Sequence, residues 1–154
     1  MLKVDSFLNH QMDVALFEEI GKEFLRWFDG CGVNKILTIE ASSSGIACIT
    51  VNFFHCPVIF TKESKIRNIA GEVYSIKVKS FTQGNASDVI VSTQFLGPED
   101  KVLIIDDLLA NGAALEGLID LVRQAGAQLA GAGHFLPLCF ILKYTKYSCE
   151  DLPR

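Results

Sequence analysis

A buried strand that ends in two acidic residues, followed by a small-residue loop and a helix, constrains this fold most. Residues 102–122 read VLIIDDLLANGAALEGLIDLV, and the first four are a continuous apolar run rich in β-branched residues. Such runs are typical of strands buried on both faces, as in parallel sheets. Apolar residues of 113–125 recur at helical spacing, and Gly126 marks the predicted helix end. This strand–loop–helix unit predicts an α/β protein.

The same patterns divide the rest of the chain into elements. Residues 13–29 repeat apolar side chains four apart and predict a helix, with Asp13 as its N-cap and Gly30 or Gly32 as its stop. We expect strands at 35–40, 57–61, 101–106 and within 130–142, a helix from about 44 to 55, a polar surface loop at 64–72, and antiparallel strands at 73–78 and 88–93. The alternation predicts a central, mostly parallel sheet flanked by helices, with residues 1–154 as one domain.

Charge and hydropathy argue against several classes of function. The net charge is −4 and no polybasic cluster occurs, which disfavours nucleic-acid binding. The longest apolar run, residues 135–142, contains Pro137 and is too short to span a bilayer. No signal-peptide core occurs at the start, and the five cysteines form no C-x-x-C pair and indicate reduced thiols. We therefore expect a cytoplasmic protein with no membrane or nucleic-acid partner.

The loop after the 102–105 strand has the composition of a phosphate site. Backbone amides at the start of the following helix point into the loop, and the helix dipole adds partial positive charge. Asp106 and Asp107 would repel that phosphate, so they suit neighbouring ribose hydroxyls or a bound Mg²⁺. A sugar phosphate would suit both parts of residues 102–122, because its phosphate can bind the amides and its hydroxyls can bind the acids. The alternatives are that the acids only solvate the strand end and that Asn111 and Gly112 only form a turn.

A second candidate loop, EASSSGIA at residues 40–47, follows the 35–40 strand. In parallel α/β sheets, ligands bind at the carboxyl ends of the strands, where both loops lie. The alternative interpretation is that these serines only cap the next helix.

Residues 102–114, VLIIDDLLANGAA, resemble the signature of type I phosphoribosyltransferases, which binds 5-phosphoribosyl 1-diphosphate (PRPP). Within that family the chain is similar to the bacterial xanthine phosphoribosyltransferases. The similarity rests on the Ala-Asn-Gly core of the loop and on LKVDSFLNHQMD, TIEASSSGIA, YSIKVKSFT and AGAQLAGAG, and it extends from residue 2 to about 133. It implies a type I phosphoribosyltransferase (Rossmann-like) fold with a reduced hood over the site.

The resemblance also implies a reaction and the residues that carry it. The reaction is purine salvage, in which the phosphoribosyl group of PRPP passes to xanthine, giving xanthosine monophosphate (XMP) and diphosphate, with Mg²⁺ on the diphosphate and a homodimeric enzyme. Asp106 and Asp107 would be the catalytic residues and take the ribose hydroxyls. The other implied positions are the phosphate loop of Ala110, Asn111, Gly112, Ala113 and Ala114, the diphosphate loop of Ala41, Ser42, Ser43, Ser44 and Gly45 with Lys62, and the base contacts Leu2 and Asn9. Lys62 keeps a second interpretation as a solvated surface lysine.

The last part of the sequence departs from the family pattern. Leu138 stands at the position of the family's base-contacting lysine, and Glu63 stands where the family tends to have a basic residue. We therefore expect a partial or altered hood, formed by residues 1–12 and 134–154. Two functions remain open: a xanthine phosphoribosyltransferase, and a catalytically impaired or non-catalytic homologue that binds PRPP or a nucleotide.

Overall fold

Helices and strands follow one another along the chain as the apolar pattern predicts. The computed structural model describes residues 11–41, 43–64, 71–79, 86–106 and 113–134. Over these ranges the elements are α1 (Val14–Phe28), β1 (Lys35–Ile39), α2 (Ser43–Phe54), β2 (Val58–Ser64), β3 (Val73–Lys79), β4 (Ala86–Ser92), β5 (Lys101–Asp106), α3 (Ala113–Gln124) and β6 (Gln128–His134). Of the helices in these ranges, none has the length and apolar content to cross a membrane.

The strands form a mixed sheet in the order β3-β4-β2-β1-β5-β6. Strands β2, β1, β5 and β6 run parallel to one another. Strands β3 and β4 form an antiparallel hairpin, and β4 also pairs antiparallel with β2. The predicted mostly parallel sheet with flanking helices and the predicted antiparallel strands are confirmed.

Three strands extend two or three residues beyond their predicted bounds, and one of them is β4, which begins at Ala86 and not at 88. β2 continues to Ser64, beyond the predicted end at 61, because its polar residues from Lys62 onward pair with β4. β6 begins at Gln128, which lies opposite Lys101 in the parallel ladder. Gln128 and Leu129 therefore precede the predicted start of this strand at residue 130. Residues 65–70 of the predicted loop and 135–142 of the predicted last strand lie outside the described residues.

The helices cover opposite faces of the sheet. α1 and α2 pack on one face, and α3 packs on the other. Alternate residues of β5 divide between the two cores, since successive strand side chains point to opposite faces. The buried members of the α1/α2 core are Phe17, Ile20, Phe24, Phe28, Ile36, Ile46, Ala47, Leu103 and Ile105. Those of the α3 core are Leu37, Val89, Val91, Leu96, Val102, Ile104, Leu115, Leu118, Leu121, Val122, Ala125 and Ala132.

Capping and close packing both fix α1. The side chain of Asp13 accepts a hydrogen bond from the amide of Leu16 at 3.1 Å, which confirms the predicted N-cap. The buried face of α1 lies directly on β6, where a Cβ at Gly131 or Gly133 would overlap the ring of Phe28 or Phe24. The two glycines therefore let aromatic rings of α1 contact the strand backbone.

Polar side chains connect the strands where they begin, at the end of the sheet that we call the amino edge. Lys35 Nζ lies 2.9 Å from a carboxylate oxygen of Asp100 and donates to the carbonyl of Phe95 at 2.7 Å. The amide of Lys101 donates to the side chain of Asn34 at 2.7 Å, and Asn34 donates to the carbonyl of residue 99 at 3.1 Å. These bonds join the start of β1 to the segment that leads into β5.

Candidate active site

The opposite end of the sheet, which we call the carboxyl edge, contains the topological switch point. β1 and β5 are parallel neighbours, with Leu37 opposite Ile104, and continuing that register sets Ile39 beside Asp106. The chain leaves β1 into α2 on one face and leaves β5 toward α3 on the other. Connections that diverge in this way open a crevice at the carboxyl ends of the two strands. Both predicted loops begin at this crevice.

Asp106 is the last residue of β5 and is only 3 % exposed. Because Ile105 points to the α1/α2 core, strand alternation directs Asp106 to the face that carries α3. Its Cα partner in β6 is His134. A buried carboxylate at a switch point is suited to accept hydrogen bonds from the hydroxyls of a ligand that enters the crevice.

Hydrogen bonds between residues three or four apart in sequence shape the connection between β1 and α2. The hydroxyl of Ser43, which is 1 % exposed, donates to the carbonyl of Ile39 at 2.6 Å. The amide of Ser44 donates to the carbonyl of Ala41 at 3.2 Å, and the peptide bond between Glu40 and Ala41 is cis. Ala41 is exposed and Ser44 is half-buried. Ser43 and Ser44, both predicted for the diphosphate loop, therefore differ, since the Ser43 hydroxyl is directed at the end of the strand.

Gly45 lies where α1 and α2 begin side by side. A Cβ at this position would stand 2.9 Å from Sδ of Met12 and 3.0 Å from the ring of Phe17. The missing side chain lets the start of α1 approach the start of α2. Gly45 thus belongs to the predicted diphosphate loop by position, and its Cα faces α1.

Lys62 lies on β2, next to the strand that leads into the diphosphate loop. It pairs with Ile90 of β4, is exposed, and holds its ammonium 5.8 Å from the centre of the Phe60 ring. A cation over an aromatic face at this distance is weakly favourable. Phe60 and Phe95 are 48 % and 55 % exposed and line a cavity of about 410 Å³ beside Lys62. This apolar surface could not be predicted from the sequence, because Phe60 looks like one more residue of a buried strand.

The remaining predicted site residues fall into two groups. Ala113 begins α3 and Ala114 lies half-buried in its first turn, so the helix starts where the phosphate loop was predicted to end. The other group consists of predicted site residues that lie outside the described ranges: Leu2, Asn9, Ser42, Asp107, Ala110, Asn111 and Gly112. Their predicted roles stay predictions.

The described residues bring no three His, Cys, Asp or Glu side chains together in a group that could hold a metal ion. The carboxylate of Asp106 is the type of oxygen ligand that Mg²⁺ accepts. Mg²⁺ in phosphate-binding enzymes is usually held by one or two carboxylates together with substrate phosphates and water. The donor set at the carboxyl edge therefore fits a Mg²⁺ ion that arrives with a phosphorylated substrate.

Solved structures share this fold. The adenine phosphoribosyltransferase of Saccharomyces cerevisiae, in a complex with adenine and an imino-altritol bisphosphate, matches with a TM-score of 0.71 at 16% identity, over 83% of this chain and 73% of that one. The adenine phosphoribosyltransferase of Thermoanaerobacter pseudethanolicus matches with a TM-score of 0.69 at 15% identity, over 80% and 69% of the two chains. The expected type I phosphoribosyltransferase fold is therefore confirmed.

Sequence relatives are much more similar. The xanthine phosphoribosyltransferase of Lachnoclostridium phytofermentans is 59% identical over 133 residues, which cover 86% of this chain and 69% of the relative. Xanthine phosphoribosyltransferase 2 of Clostridium botulinum strain Langeland is 57% identical over 134 residues, covering 86% and 70%. The xanthine phosphoribosyltransferase of Moorella thermoacetica is 46% identical over 140 residues, covering 91% and 71%. No model of a protein family matches the chain. On the strength of these relatives, the chain belongs to the xanthine phosphoribosyltransferase family.

Proposed function

We propose that this chain transfers the phosphoribosyl group of PRPP to xanthine, producing XMP and diphosphate in purine salvage. The observation that carries the proposal is the 59% identity to a xanthine phosphoribosyltransferase over 86% of the chain. The fold adds a physical reason, since a buried carboxylate ends β5 at the switch point, beside the loop of β1.

The ribose 5-phosphate part of PRPP would bind at the end of β5 and the start of α3. Asp106 and Asp107 accept hydrogen bonds from the 2′- and 3′-hydroxyls, and the charge of each carboxylate strengthens them. The 5′-phosphate lies among the amides of residues 110–114, where the small side chains let the backbone approach and the α3 dipole favours an anion. The acids and the amides thereby bind opposite ends of one sugar.

The diphosphate part of PRPP would lie against residues 41–45, across the crevice from Asp106. Lys62, on the neighbouring strand, is exposed and carries a positive charge that attracts the diphosphate over a longer distance. Bound Mg²⁺ supplies charge neutralisation at the diphosphate oxygens. The amides of the loop then orient the leaving group.

Xanthine would bind over the ribose, under a hood to which Leu2 and Asn9 contribute. The hood comprises residues 1–12 and 134–154. Nitrogen 9 of the base forms a bond to C1 of the ribose while the C1–oxygen bond breaks, and that electron pair leaves with diphosphate. The base loses its nitrogen-bound proton to water, so the products are XMP, diphosphate and one proton. Since charge develops on the ribose ring and on the leaving group, the protein acts chiefly by alignment and electrostatic stabilisation.

We propose a cytoplasmic homodimer with no membrane or nucleic-acid partner. The exposed rings of Phe60 and Phe95 support an association between protein surfaces, because large apolar side chains gain free energy when they leave water. The net charge of −4 gives no general attraction to nucleic acids.

Calorimetric titration with PRPP and Mg²⁺, followed by an XMP assay with xanthine, tests the function. We expect PRPP binding and XMP formation. Binding without XMP formation would support the non-catalytic homologue, which Leu138 at the position of the family's base-contacting lysine motivates. Absence of PRPP binding would reject both functions.

A further inference from the structure

We propose that Ser43 is a positioning residue for the diphosphate of PRPP, and that its hydroxyl acts through the loop after β1 without contacting the substrate. This inference rests on the proposed function. It gives Ser43 a role in ordering the loop, as opposed to direct contact with the substrate.

The geometry of Ser43 shows how its hydroxyl is used. The side chain is 1 % exposed, and its hydroxyl donates to the carbonyl of Ile39 at 2.6 Å. A serine hydroxyl has one proton and can donate one hydrogen bond. With that proton directed at Ile39, the hydroxyl has none left to offer an anionic oxygen of diphosphate.

The same bond holds the loop in place. Ile39 is the last residue of β1 and Ser43 the first of α2, so the bond joins the two ends of the connection. A second bond, from the amide of Ser44 to the carbonyl of Ala41 at 3.2 Å, lies within it. Because water is excluded around Ser43, its bond resists exchange more than an exposed bond would. Together the two bonds hold the carbonyl of Ala41 and the first residues of α2 relative to the end of β1.

The position of the loop makes this order useful to a diphosphate. Continuing the β1–β5 register sets Ile39 beside Asp106, so the loop is held relative to the strand that carries the acid. The first turn of α2 contains no acidic side chain. The partial positive charge of the helix dipole at this end is therefore not neutralised by a carboxylate of the same turn and can attract an anion. Preorganised amides bind an anion more tightly than mobile ones, because less conformational entropy is lost on binding.

The chain offers a matched control within the same helix. Thr50, which is fully buried, donates its hydroxyl to the carbonyl of Ile46 at 2.8 Å. Its acceptor also lies four residues earlier, as for Ser43. Seven residues of helix, or roughly 10 Å, separate Thr50 from Ser43 and the loop. Thr50→Val removes this hydroxyl and keeps the side-chain shape, just as Ser43→Ala removes the other.

The experiment measures the affinities of the wild type, Ser43→Ala and Thr50→Val for two ligands. One is PRPP with Mg²⁺, and the other is XMP, which has the ribose phosphate and the base and lacks the diphosphate. We expect Ser43→Ala to weaken PRPP binding about five- to tenfold and to change XMP binding by less than about twofold, from the net worth of one buried hydrogen bond. Thr50→Val should leave both affinities within about twofold of the wild type, although both variants lower the melting temperature by a similar amount.

Each outcome bears on the inference. A selective loss of PRPP affinity in Ser43→Ala supports it, and so does a raised KM for PRPP with an unchanged KM for xanthine. Unchanged PRPP affinity in Ser43→Ala would overturn it, as would an equal loss for XMP or an equal loss in Thr50→Val. If Ser43→Ala does not fold, Ser43→Thr replaces it, and retained PRPP affinity supports the inference while a loss of PRPP affinity overturns it. A wild type that binds neither ligand would instead contradict the proposed function.

Discussion

The amino edge and the carboxyl edge of the same sheet use polar groups differently. At the amino edge, Lys35, Asn34 and Asp100 bond across the strands, and the Lys35–Asp100 pair is 16 % and 14 % exposed. At the carboxyl edge, a buried acid stands beside a connection rich in alanine, serine and glycine. The amino edge therefore binds the strands to one another, and the carboxyl edge leaves room for a ligand.

The difference teaches where substitutions should change stability and where they should change binding. Loops at the carboxyl ends of strands can vary in chemistry while the rest of the sheet supplies a rigid support. Substitutions at the amino edge should lower the free energy of unfolding with little effect on ligand affinity. Substitution of Asp107, the second acid of the pair, should do the reverse.

The largest expected effect is that of Lys35→Met at the amino edge. The change leaves the poorly exposed carboxylate of Asp100 without its cation and removes a hydrogen bond to Phe95. We expect the free energy of unfolding to fall by about 2–4 kcal/mol, since one charge of a largely buried pair remains uncompensated. Urea unfolding measures the loss, and PRPP titration of the folded variant should give the wild-type affinity.

Arg123→Ala is the matched control for that prediction. Arg123 pairs with Asp120 at 3.2 Å on α3, and both side chains are largely exposed. Water and salt screen such a pair, so its loss should cost less than about 0.5 kcal/mol. If Arg123→Ala lowered the free energy of unfolding as much as Lys35→Met does, burial would not explain why the Lys35–Asp100 ion pair stabilises the fold.

Asp107→Asn should have the opposite profile to Lys35→Met. If this carboxylate receives ribose hydroxyls, the change should weaken PRPP binding by about 1–3 kcal/mol, the usual worth of hydrogen bonds to a charged group. Calorimetry with Mg²⁺ present measures the affinity, and urea unfolding should show little change. Asp120→Asn, which removes one exposed charge from α3, serves as the control for net charge. Unchanged PRPP affinity in Asp107→Asn would contradict the role of the acid pair.

Asp13→Ala tests whether a residue at the carboxyl edge can affect stability alone, because Asp13 lies at that edge and its side chain caps a helix. Its side chain caps α1, and the adjacent Met12 touches the start of α2 at Gly45. Loss of the cap should lower the free energy of unfolding by about 1 kcal/mol. PRPP affinity should stay the same, and Asp13→Asn should recover most of the stability because asparagine also caps helices.

The smallest effect is a difference in cysteine reactivity. Cys56 precedes β2 at the amino edge and is partly buried, whereas Cys48 on α2 is exposed. Burial raises the pKa of the Cys56 thiol, and the nearby charge of Lys35 lowers it only in part. Since the thiolate is the reactive form, iodoacetamide should modify Cys48 before Cys56 in the folded protein at mildly alkaline pH. Mass spectrometry of the alkylated peptides measures both rates, and denaturant should remove the difference.

Much of the fold could be predicted because its main elements have strong local patterns. The spacing of Ile20, Phe24 and Phe28, four residues apart, marks α1, and the apolar run of β5 marks a strand buried on both faces. The polar end of β2 could not be predicted, since its pairing partner β4 lies in a later part of the chain. The glycines of β6 carry no strand propensity, and their contact with α1 appears only in the folded protein.

The candidate site was predictable in position and less so in detail. Asp106 ends β5 as expected, because an acid directly after an apolar run marks the end of a buried strand. The inward direction of the Ser43 hydroxyl could not be predicted, since a serine near a helix start has several backbone partners within reach. The roles of Asp107 and residues 110–112 stay predictions of the sequence.

The strand order determines when the crevice between the ends of β1 and β5 forms during synthesis. β1 pairs with β2, which follows soon after it, and with β5, which the ribosome delivers only after the β3–β4 hairpin. Contacts between distant parts of a chain form late, because a long loop must first be closed. The nascent chain thus gains its crevice only when β5 joins β1 and brings Asp106 beside the end of the earlier strand.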